Sequence, residues 1–483
     1  MEKISKVLIA NRGEIALRII RACKELDITS VAIFSEVDVE GVWVRKADEC
    51  YPIMGDVIKA YLDYDVIISI AKKANCDAIH PGYGFLSENA DFAQACADNG
   101  ITFIGPKPEH IALFGDKMAS KVAMKEVGVP VLEGTDEPID DVKEAQDIAE
   151  NIGFPVIIKA AFGGGGRGMR IVKNKKDFKE MFDSAKNESI KYFGRGEVFI
   201  EKYVENPRHI EVQVIADKFG NVLHLGERDC SIQRRHQKVV EIAPSPLLNQ
   251  SARKELFRIA TKAMFKLGYE SVGTIEFLLD SEDNIYFIEM NTRVQVEHPV
   301  TEITSGVDII QRMIQIAEGD KLQMLQEDIK FRGYAIEFRI NAENPHKNFM
   351  PSVGKITKYL TPGGPGVRLD TSIYSGYKVP ANYDSMVGKL IVWSLDWEGT
   401  VKKARRALDE FYIEGFPTNI SLHREIVRDE DFRNGKFTTS YLDEKLETFT
   451  LSSEQHIKEE EEKISKIVSF ISKLKEKNIK TKQ

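Results

Sequence analysis

Four consecutive glycines, Gly163 to Gly166, followed by Arg167 and Gly168, separate the apolar runs "FPVIIKAAF" and "MRIV". Glycine loses more backbone freedom on folding than any other residue, so an ordinary turn uses one or two. Gly163, Gly165 and Gly168 satisfy G-x-G-x-x-G. A dinucleotide fingerprint, however, lies between a strand and a helix. Here "MRIV" reads as a second strand, so the loop is the tip of a hairpin, and no Gly-Lys-Ser/Thr follows to make it a P-loop. Such a flap can fold its backbone N–H groups over phosphates. It can also be a plain surface loop, and the stretch alone leaves both readings open.

The rest of the 483-residue chain narrows the choice. Its length suits about three domains. Acidic side chains outnumber basic ones, for a net charge of −8, which argues against nucleic acid as the main partner. No apolar run approaches membrane-spanning length, and the first residues carry no signal-peptide core. Five cysteines without C-x-x-C spacing fit a reducing, cytoplasmic setting with neither disulfides nor zinc.

Along the chain, "KVLIA", "NRGEIALRIIRACKELD" and "SVAIFS" read as strand, helix, strand. The alternation continues, so residues 1–115 are expected to form an open α/β domain, with "HPGYGFLSEN" at the carboxyl end of a strand, where such sheets bind ligands. Residues 116–204 hold two helices and the glycine flap and are read as a lid. Residues 205–447 contain the hairpins "HIEVQVIADKFGNVLHLGERDCSI" and "SVGTIEFLLDSEDNIYFIEMNTRVQVEHP", then short strands and a helix near 400–411. Residues 448–483 form a Lys/Glu-rich tail with Ile457, Ile464, Ile467, Val468, Ile471 and Leu474 at near-helical spacing, expected to dock on a partner subunit.

The second hairpin carries the most chemistry. A two-residue turn at Glu282-Asp283 sets Glu276 opposite Glu289. Facing like charges repel unless neutralised, and a divalent cation would neutralise them. Asn291, two residues on, adds a neutral oxygen on the same face, completing a hard donor set suited to Mg²⁺ or Mn²⁺. A solvated polar face is the other reading. The strict alternation Glu289, Asn291, Arg293, Gln295, Glu297 favours the metal. Lys159, in an otherwise apolar strand, calls for a buried anion such as phosphate, whereas Lys117 opens a helix and alone reads as a surface lysine. His209, Gln233, His236 and Lys238 on neighbouring segments read, from the sequence alone, as ordinary polar strand residues, and Cys230 as structural.

Taken together, "KVLIANRGEIALRIIRA", "AIHPGYGFLSEN", "AAFGGGGRGMRIV", "ERDCSIQRRHQKVVE", "FIEMNTRVQVEHPVTE" and "PGGPGVRLDTSIYSGYKVPANYDSM" resemble the biotin carboxylase component of biotin-dependent carboxylases from about residue 3 to 445. The resemblance implies an α/β and α+β architecture: the ATP-grasp fold with an N-terminal Rossmann-like domain, a mobile lid and a C-terminal α+β domain. It also implies ATP-dependent carboxylation of biotin through carboxyphosphate.

By the same resemblance, Glu297 is the base for bicarbonate, and Lys238, Arg293, Gln295 and Val296 hold that anion. Arg293 also stabilises carboxyphosphate and the biotin enolate. Arg339 contacts biotin, and Glu88 lies at the mouth of the site. Lys117, Lys159, Gly164, Gly165, Gly166, Glu201, Lys202, Val204, His209, Gln233, His236, Glu276 and Glu289 fall on ATP-contacting positions, and Glu276, Glu289 and Asn291 on metal positions for two Mg²⁺ or Mn²⁺ ions. Phe338 stands where many members carry cysteine. A Met-Lys-Met biotin acceptor motif is missing, so the chain is expected to be a separate subunit, homodimeric, acting on a biotin carboxyl carrier protein or a biotinylated carboxyltransferase subunit. Two rival classes are another ATP-grasp ligase of the carbamoyl phosphate type and a non-catalytic nucleotide-binding partner. The first leaves "RRHQKVVE" and "NTRVQVEHPVTE" unexplained, and the second is expected to have lost Arg293, Glu297 or a metal ligand.

Overall fold

The structure, a computed structural model, describes residues 3–135, 137–160, 169–193 and 195–451, with 465, 466 and 469 beyond them. The N-terminal part is an open parallel sheet in the order β3 (Glu49–Pro52), β2 (Thr29–Phe34), β1 (Lys6–Ile9), β4 (Ala78–His80), β5 (Thr102–Phe103). Helices α1 (Gly13–Glu25), α2 (Val42–Lys46), α3 (Tyr64–Lys73), α4 (Ala90–Asp98) and α5 (Pro108–Gly115) lie among these strands and after the last. The central strands β1, β2 and β4 are almost wholly apolar and buried on both faces, as parallel pairing requires, while the edge strands β3 and β5 are partly exposed. Strand order reverses between β1 and β4, and the loops after these two strands meet there. Asn11 Nδ2 donates to the carbonyls of Pro81 (2.7 Å) and Tyr83 (2.8 Å). Gly82 makes the close approach possible: its φ is +66°, and a Cβ would sit 2.9 Å from Asn11 Nδ2.

A small antiparallel sheet in the order β7 (Arg170–Val172), β6 (Val156–Ala160), β8 (Val198–Lys202) occupies the segment expected to form the lid. Its helices α7 (Val142–Ile152) and α8 (Phe178–Phe193) share a separate core with it, built on Ile158, Phe178, Phe182 and Ile200. The strands flanking the glycine run pair antiparallel, so the run does join a hairpin. Gly163 to Gly168, with Gly164, Gly165 and Gly166 among them, lie outside the described residues. Residues 116–131, expected in the lid, pack elsewhere. Met124 of α6 (Lys117–Glu126) and Val129 join the core of the large sheet, and Phe287 N donates to Pro130 O at 2.9 Å. These apolar side chains find a broad hydrophobic face there that the lid does not offer.

The large sheet is antiparallel and runs β13 (Ile285–Asn291), β12 (Ser271–Leu279), β9 (Arg208–Ala216), β10 (Val222–Arg234), β11 (Gln237–Ala243), β14 (Tyr334–Asn341), β19 (Met386–Ser394), β18 (Val367–Thr371). Short pairs β15 (Glu343–Asn344) with β16 (Met350–Pro351) and β17 (Lys358–Leu360) with β20 (Tyr412–Glu414) flank it. Helix α9 (Gln250–Lys266) covers the β9–β12 end through Leu256, Ala260 and Met264, and α12 (Trp397–Glu410) covers the β14–β19 end through Ala404 and Leu408. Fully buried Phe277 and Phe338 each contribute about 1.5–3 kcal/mol by leaving water. Helices α10 (His298–Ser305) and α11 (Ile309–Ala317) follow β13, and α13 (Ile420–Ile426) closes the C-terminal core.

Two details of the second hairpin differ from the sequence reading. The loop is closed one residue earlier, with Asp280 N bonded to Asn284 O and Asp280 Oδ1 accepting the N–H groups of Glu282 and Asn284. A bulge at Ile288 then shifts the register by one, so Glu276 still faces Glu289. The strand also ends at Asn291 rather than running to Glu297. Glu297 stands at the N-cap of α10, whose first turn holds Pro299. The tail from 452 lies outside the described residues apart from three positions. Among the described residues, no helix is long and apolar enough to cross a membrane.

Candidate active site

A cavity of about 1130 Å³ opens between the carboxyl ends of β1 and β4, the lid strands and one face of the large sheet. Lys117, Lys159, Lys202, Val204, His209, Gln233, His236, Lys238, Glu276, Glu289, Asn291, Arg293, Gln295, Val296 and Arg339 all line it. Glu201, Glu88 and Glu297 do not line it; each instead grips a residue that does. The Glu201 carboxylate takes Lys159 Nζ at 2.6 Å and Lys121 Nζ at 3.0 Å, and these two lysines outweigh its burial and hold its acid below the usual range. Lys159 therefore already has an anion, supplied by the neighbouring strand. Lys202 Nζ donates to the carbonyls of Gly153 (2.8 Å) and Phe154 (3.3 Å). Glu88 accepts from Arg293 Nε at 2.7 Å, linking the N-terminal domain to the site.

Lys238 is the centre of the charge pattern. The β10–β11 turn carries positive φ at both Arg235 and His236, a primed hairpin turn that brings Lys238 to the cavity wall. Its ammonium donates to Glu297 Oε1 (2.7 Å), Glu211 Oε2 (2.6 Å) and Glu276 Oε1 (2.9 Å). Burial alone would lower the lysine, but Glu211, Glu276 and Glu297 drive it well up. Glu297 is fully buried, and its second oxygen accepts from Arg339 Nη2 at 3.0 Å. Burial would raise this acid; Lys238, Arg339 and Arg228 overcome that and hold it well below the carboxylate range. Arg339 in turn donates through Nε to Glu241 at 2.5 Å.

Arg293, Gln295 and Asn291 converge although they are not on one strand face. Arg293 Nη1 donates to Gln295 Oε1 at 3.0 Å and Nη2 to Asn291 Oδ1 at 2.9 Å, while Asn291 Nδ2 and Gln295 Nε2 reach Glu276 Oε1 at 2.9 and 3.3 Å. The other Glu276 oxygen lies 2.7 Å from His209 Nε2, whose ring partner across Nδ1 is Gln233.

The residues fit a divalent cation. Among the described residues no hydrogen-bond donor reaches Glu289, and burial, then the charge of Glu276, push its acid up. That is the facing-carboxylate repulsion a cation would relieve. His209, Glu211 and Glu276 also bring donor atoms within 4.8 Å of one another. Glu211 is paired with two cations, Arg228 and Lys238, whereas Glu289 meets no donor among the described residues, so the set that contains Glu289, with Glu276 and Asn291, is the better cation site.

Several participants escaped the sequence reading. Fully buried Arg228 donates to Glu211, Gln213 (2.8 Å), Thr301 (2.9 Å) and Thr274 (3.1 Å), bracing the floor under Lys238. Glu211, Glu241 and Lys389 are likewise 0% exposed. Each is a charge set in an apolar run ("HIEVQVIA", "VVEIA", "VGKLIVW"), the signal that singled out Lys159. Cys230 is fully buried, and burial pushes its thiol far up, as a structural cysteine requires. Phe338 packs its ring 5.2 Å from that of His423, which bonds the Arg339 carbonyl at 2.8 Å.

Family models match three segments: the N-terminal domain of biotin carboxylase over residues 3–111, the ATP-binding domain of the carbamoyl-phosphate synthase L chain over 116–325, and the C-terminal domain of biotin carboxylase over 337–444. The 2-oxoglutarate carboxylase small subunit of Hydrogenobacter thermophilus is 53% identical over 92% of this chain and 94% of its own length. The biotin carboxylase of Pseudomonas aeruginosa is 51% identical over 92% of this chain and 99% of its own. Among solved structures, the biotin carboxylase domain dimer of the Hydrogenobacter enzyme, in complex with MgADP, ADP and bicarbonate, superposes with a TM-score of 0.90 at 52% identity, covering 94% of this chain and 100% of that one. A biotin carboxylase–β-γ-ATP complex from Campylobacter jejuni gives 0.89 at 49% identity, covering 92% and 99%.

Proposed function

Because this chain belongs to the biotin carboxylase family of ATP-grasp ligases, we propose that its cavity joins bicarbonate to biotin at the expense of ATP, with the residues above in distinct roles. One arrangement carries the assignment: a fully buried carboxylate, Glu297, held between the ammonium of Lys238 and the guanidinium of Arg339, both of which line the cavity.

Bicarbonate sits against Lys238, Arg293, Gln295 and the backbone at Val296, and Glu297 takes its proton as it attacks the γ-phosphorus of ATP. The phosphoryl–ADP bond breaks and carboxyphosphate forms. Carboxyphosphate releases CO₂ beside biotin, and the phosphate set free removes the ureido proton. Arg339 and Arg293 steady the resulting enolate, a planar anion suited to guanidinium. Lys117, Lys159, Lys202, Val204, His209, Gln233 and His236, with the glycine flap, hold the nucleotide, and Glu201 serves by holding Lys159. Glu276, Glu289 and Asn291 would hold Mg²⁺ or Mn²⁺, which neutralises phosphate charge during transfer. Glu88 acts through Arg293 at the mouth.

The biotin is carried by another protein, and the subunits pair as in the Hydrogenobacter dimer. The test is ADP release with free biotin. It should depend on bicarbonate and rise with biotin. Bicarbonate-dependent ADP release that is indifferent to biotin, with an ammonia-dependent carbamoyl product, would support a carbamoyl phosphate-type ligase instead.

A further inference from the structure

We infer that Lys389 is a positioning residue that sets the bicarbonate-holding turn 293–297 from beneath and ties it to the N-terminal domain. The inference rests on the assignment of bicarbonate to that turn.

Lys389 lies in the middle of β19, directly opposite Arg339 on β14 and Asp370 on β18. Its side chain is 0% exposed. A long cationic side chain is almost never buried without a specific anion or acceptor. Lys389 Nζ donates to the Val296 carbonyl at 2.7 Å and lies 3.1 Å from Glu14 Oε1. The same Glu14 oxygen accepts from Tyr83 Oη, on the loop after β4. A hydrogen-bonded chain therefore runs from the N-terminal domain (Tyr83, Glu14) through Lys389 to one peptide unit of the turn. Burial opposes the charge on Lys389, but Glu14, Glu337 and Asp370 more than compensate and raise it, so the donor stays charged.

Val296 is where this matters. It lines the cavity, and its carbonyl is fixed by Lys389, which does not line it. A peptide plane is rigid, so fixing the carbonyl of Val296 also fixes the N–H of Glu297 and limits the rotation of the Val296 unit. Arg339, the strand neighbour of Lys389, holds the adjacent Glu297 side chain. The turn, which has left the sheet after Asn291, is thus held by one charged donor from each of two neighbouring strands. No contact between Lys389 and a nucleotide-holding residue accompanies these bonds among the described residues, so the effect should fall on bicarbonate and spare ATP.

The experiment is steady-state bicarbonate-dependent ATPase of the full chain with Lys389→Met, and with Glu14→Gln as a second variant. The bicarbonate KM should rise about tenfold or more, the size expected for a lost charge-assisted hydrogen bond, and the ATP KM should stay within about twofold. A bicarbonate KM within about twofold of the parent, or an ATP KM that rises equally, overturns the inference. If Lys389→Met does not fold, the same criterion applied to Glu14→Gln decides. Glu297→Gln, run alongside, separates the two levels. Bicarbonate stimulation lost there but a normal bicarbonate KM in Lys389→Met removes this inference alone. Bicarbonate stimulation retained in Glu297→Gln removes the assignment of the turn and this inference with it.

Discussion

Replacing Glu297 by glutamine removes one charge from a cluster that can partly absorb the loss. The carboxylate accepts from Lys238 at 2.7 Å and from Arg339 at 3.0 Å. After the change Lys238 keeps Glu211 and Glu276, and Arg339 keeps Glu241. Neither cation is orphaned, so the cost to folding should be about 1.5–3 kcal/mol, the range for a hydrogen bond to a charged group, and below the roughly 3–5 kcal/mol of a buried pair broken outright. The amide oxygen can serve one cation, while its NH₂ must face the other, which fixes the sign as destabilising. Catalysis loses far more. An amide cannot take the bicarbonate proton, and a general base contributes about 10²–10⁴ in rate, or roughly 3–5 kcal/mol of barrier. ATP binding should hold, because Glu297 bonds Lys238 and Arg339, neither of which is assigned to the nucleotide. The assay pairs nucleotide affinity, measured by equilibrium titration, with biotin-dependent ADP release at saturating ATP and bicarbonate. A variant that turns over within a few-fold of the parent would refute the base assignment. One that loses ATP affinity in parallel with turnover would show that the buried cluster does structural work instead.

Glu289→Gln should raise the divalent-ion concentration needed for half-maximal activity about tenfold or more, since even residues that only support a ligand cost that much; an unchanged metal titration would remove Glu289 from the site. Alanine at both Gly165 and Gly166 should raise the KM for ATP, because the substitutions restrict backbone angles that a closing flap uses, and unaltered ATP kinetics would make the glycines dispensable. Acid stability follows from buried neutral histidines. Burial lowers His80 from 6.5 to about 3, and His224 and His423 to about 4. The unfolded chain therefore binds more protons below pH 6.5, so this stability is fully present above that pH and falls by about 1.4 kcal/mol per pH unit for each histidine, down to about pH 4 for His224 and His423 and about pH 3 for His80. Melting temperature against pH checks this, and His80→Gln should flatten the acid slope by one proton's share; an identical slope would count against it.

What could be read from the sequence is what local spacing encodes. The α/β alternation gave the N-terminal sheet, and the apolar runs on either side of the glycines gave the lid hairpin. The facing pair Glu276 and Glu289 was found through two errors that cancel: the loop closes one residue earlier, and the Ile288 bulge restores the register. Asp280, whose carboxylate substitutes for a backbone acceptor in that loop, is the side chain that sequence spacing could not weigh. The alternation from Glu289 to Glu297 picks out residues that do converge, but not because they share a strand face. They converge because the chain leaves the strand at Asn291 and enters α10. Pairing across distance stayed hidden. The neighbours β11–β14 and β14–β19 come together only through the folded sheet, and with them Lys389 meets Val296 and Arg339 meets Glu241. A lone charge in an apolar strand says that a partner exists, not which one it is.

The three donors of Lys238 set a condition on how the site loads. An ammonium has three N–H groups, and all three are spent on carboxylates in the absence of substrate. To hold bicarbonate, one of those bonds must be given up. Glu211 is anchored by fully buried Arg228 and cannot move without disturbing the floor of the site, and Glu297 is fixed by Arg339. Glu276 is different. It keeps Asn291, Gln295 and His209 when Lys238 leaves, and it faces Glu289, whose charge is not yet balanced. The bond from Lys238 to Glu276 is therefore the one that costs least to exchange, and positive charge arriving between Glu276 and Glu289 weakens it further. On the roles proposed above, the nucleotide and bicarbonate ends of the cavity are thus joined by this exchangeable bond, alongside those from Gln295 to Glu276 and from Arg293 to Asn291. Filling the first makes a donor available to the second, so bicarbonate should bind more tightly once the nucleotide is in place.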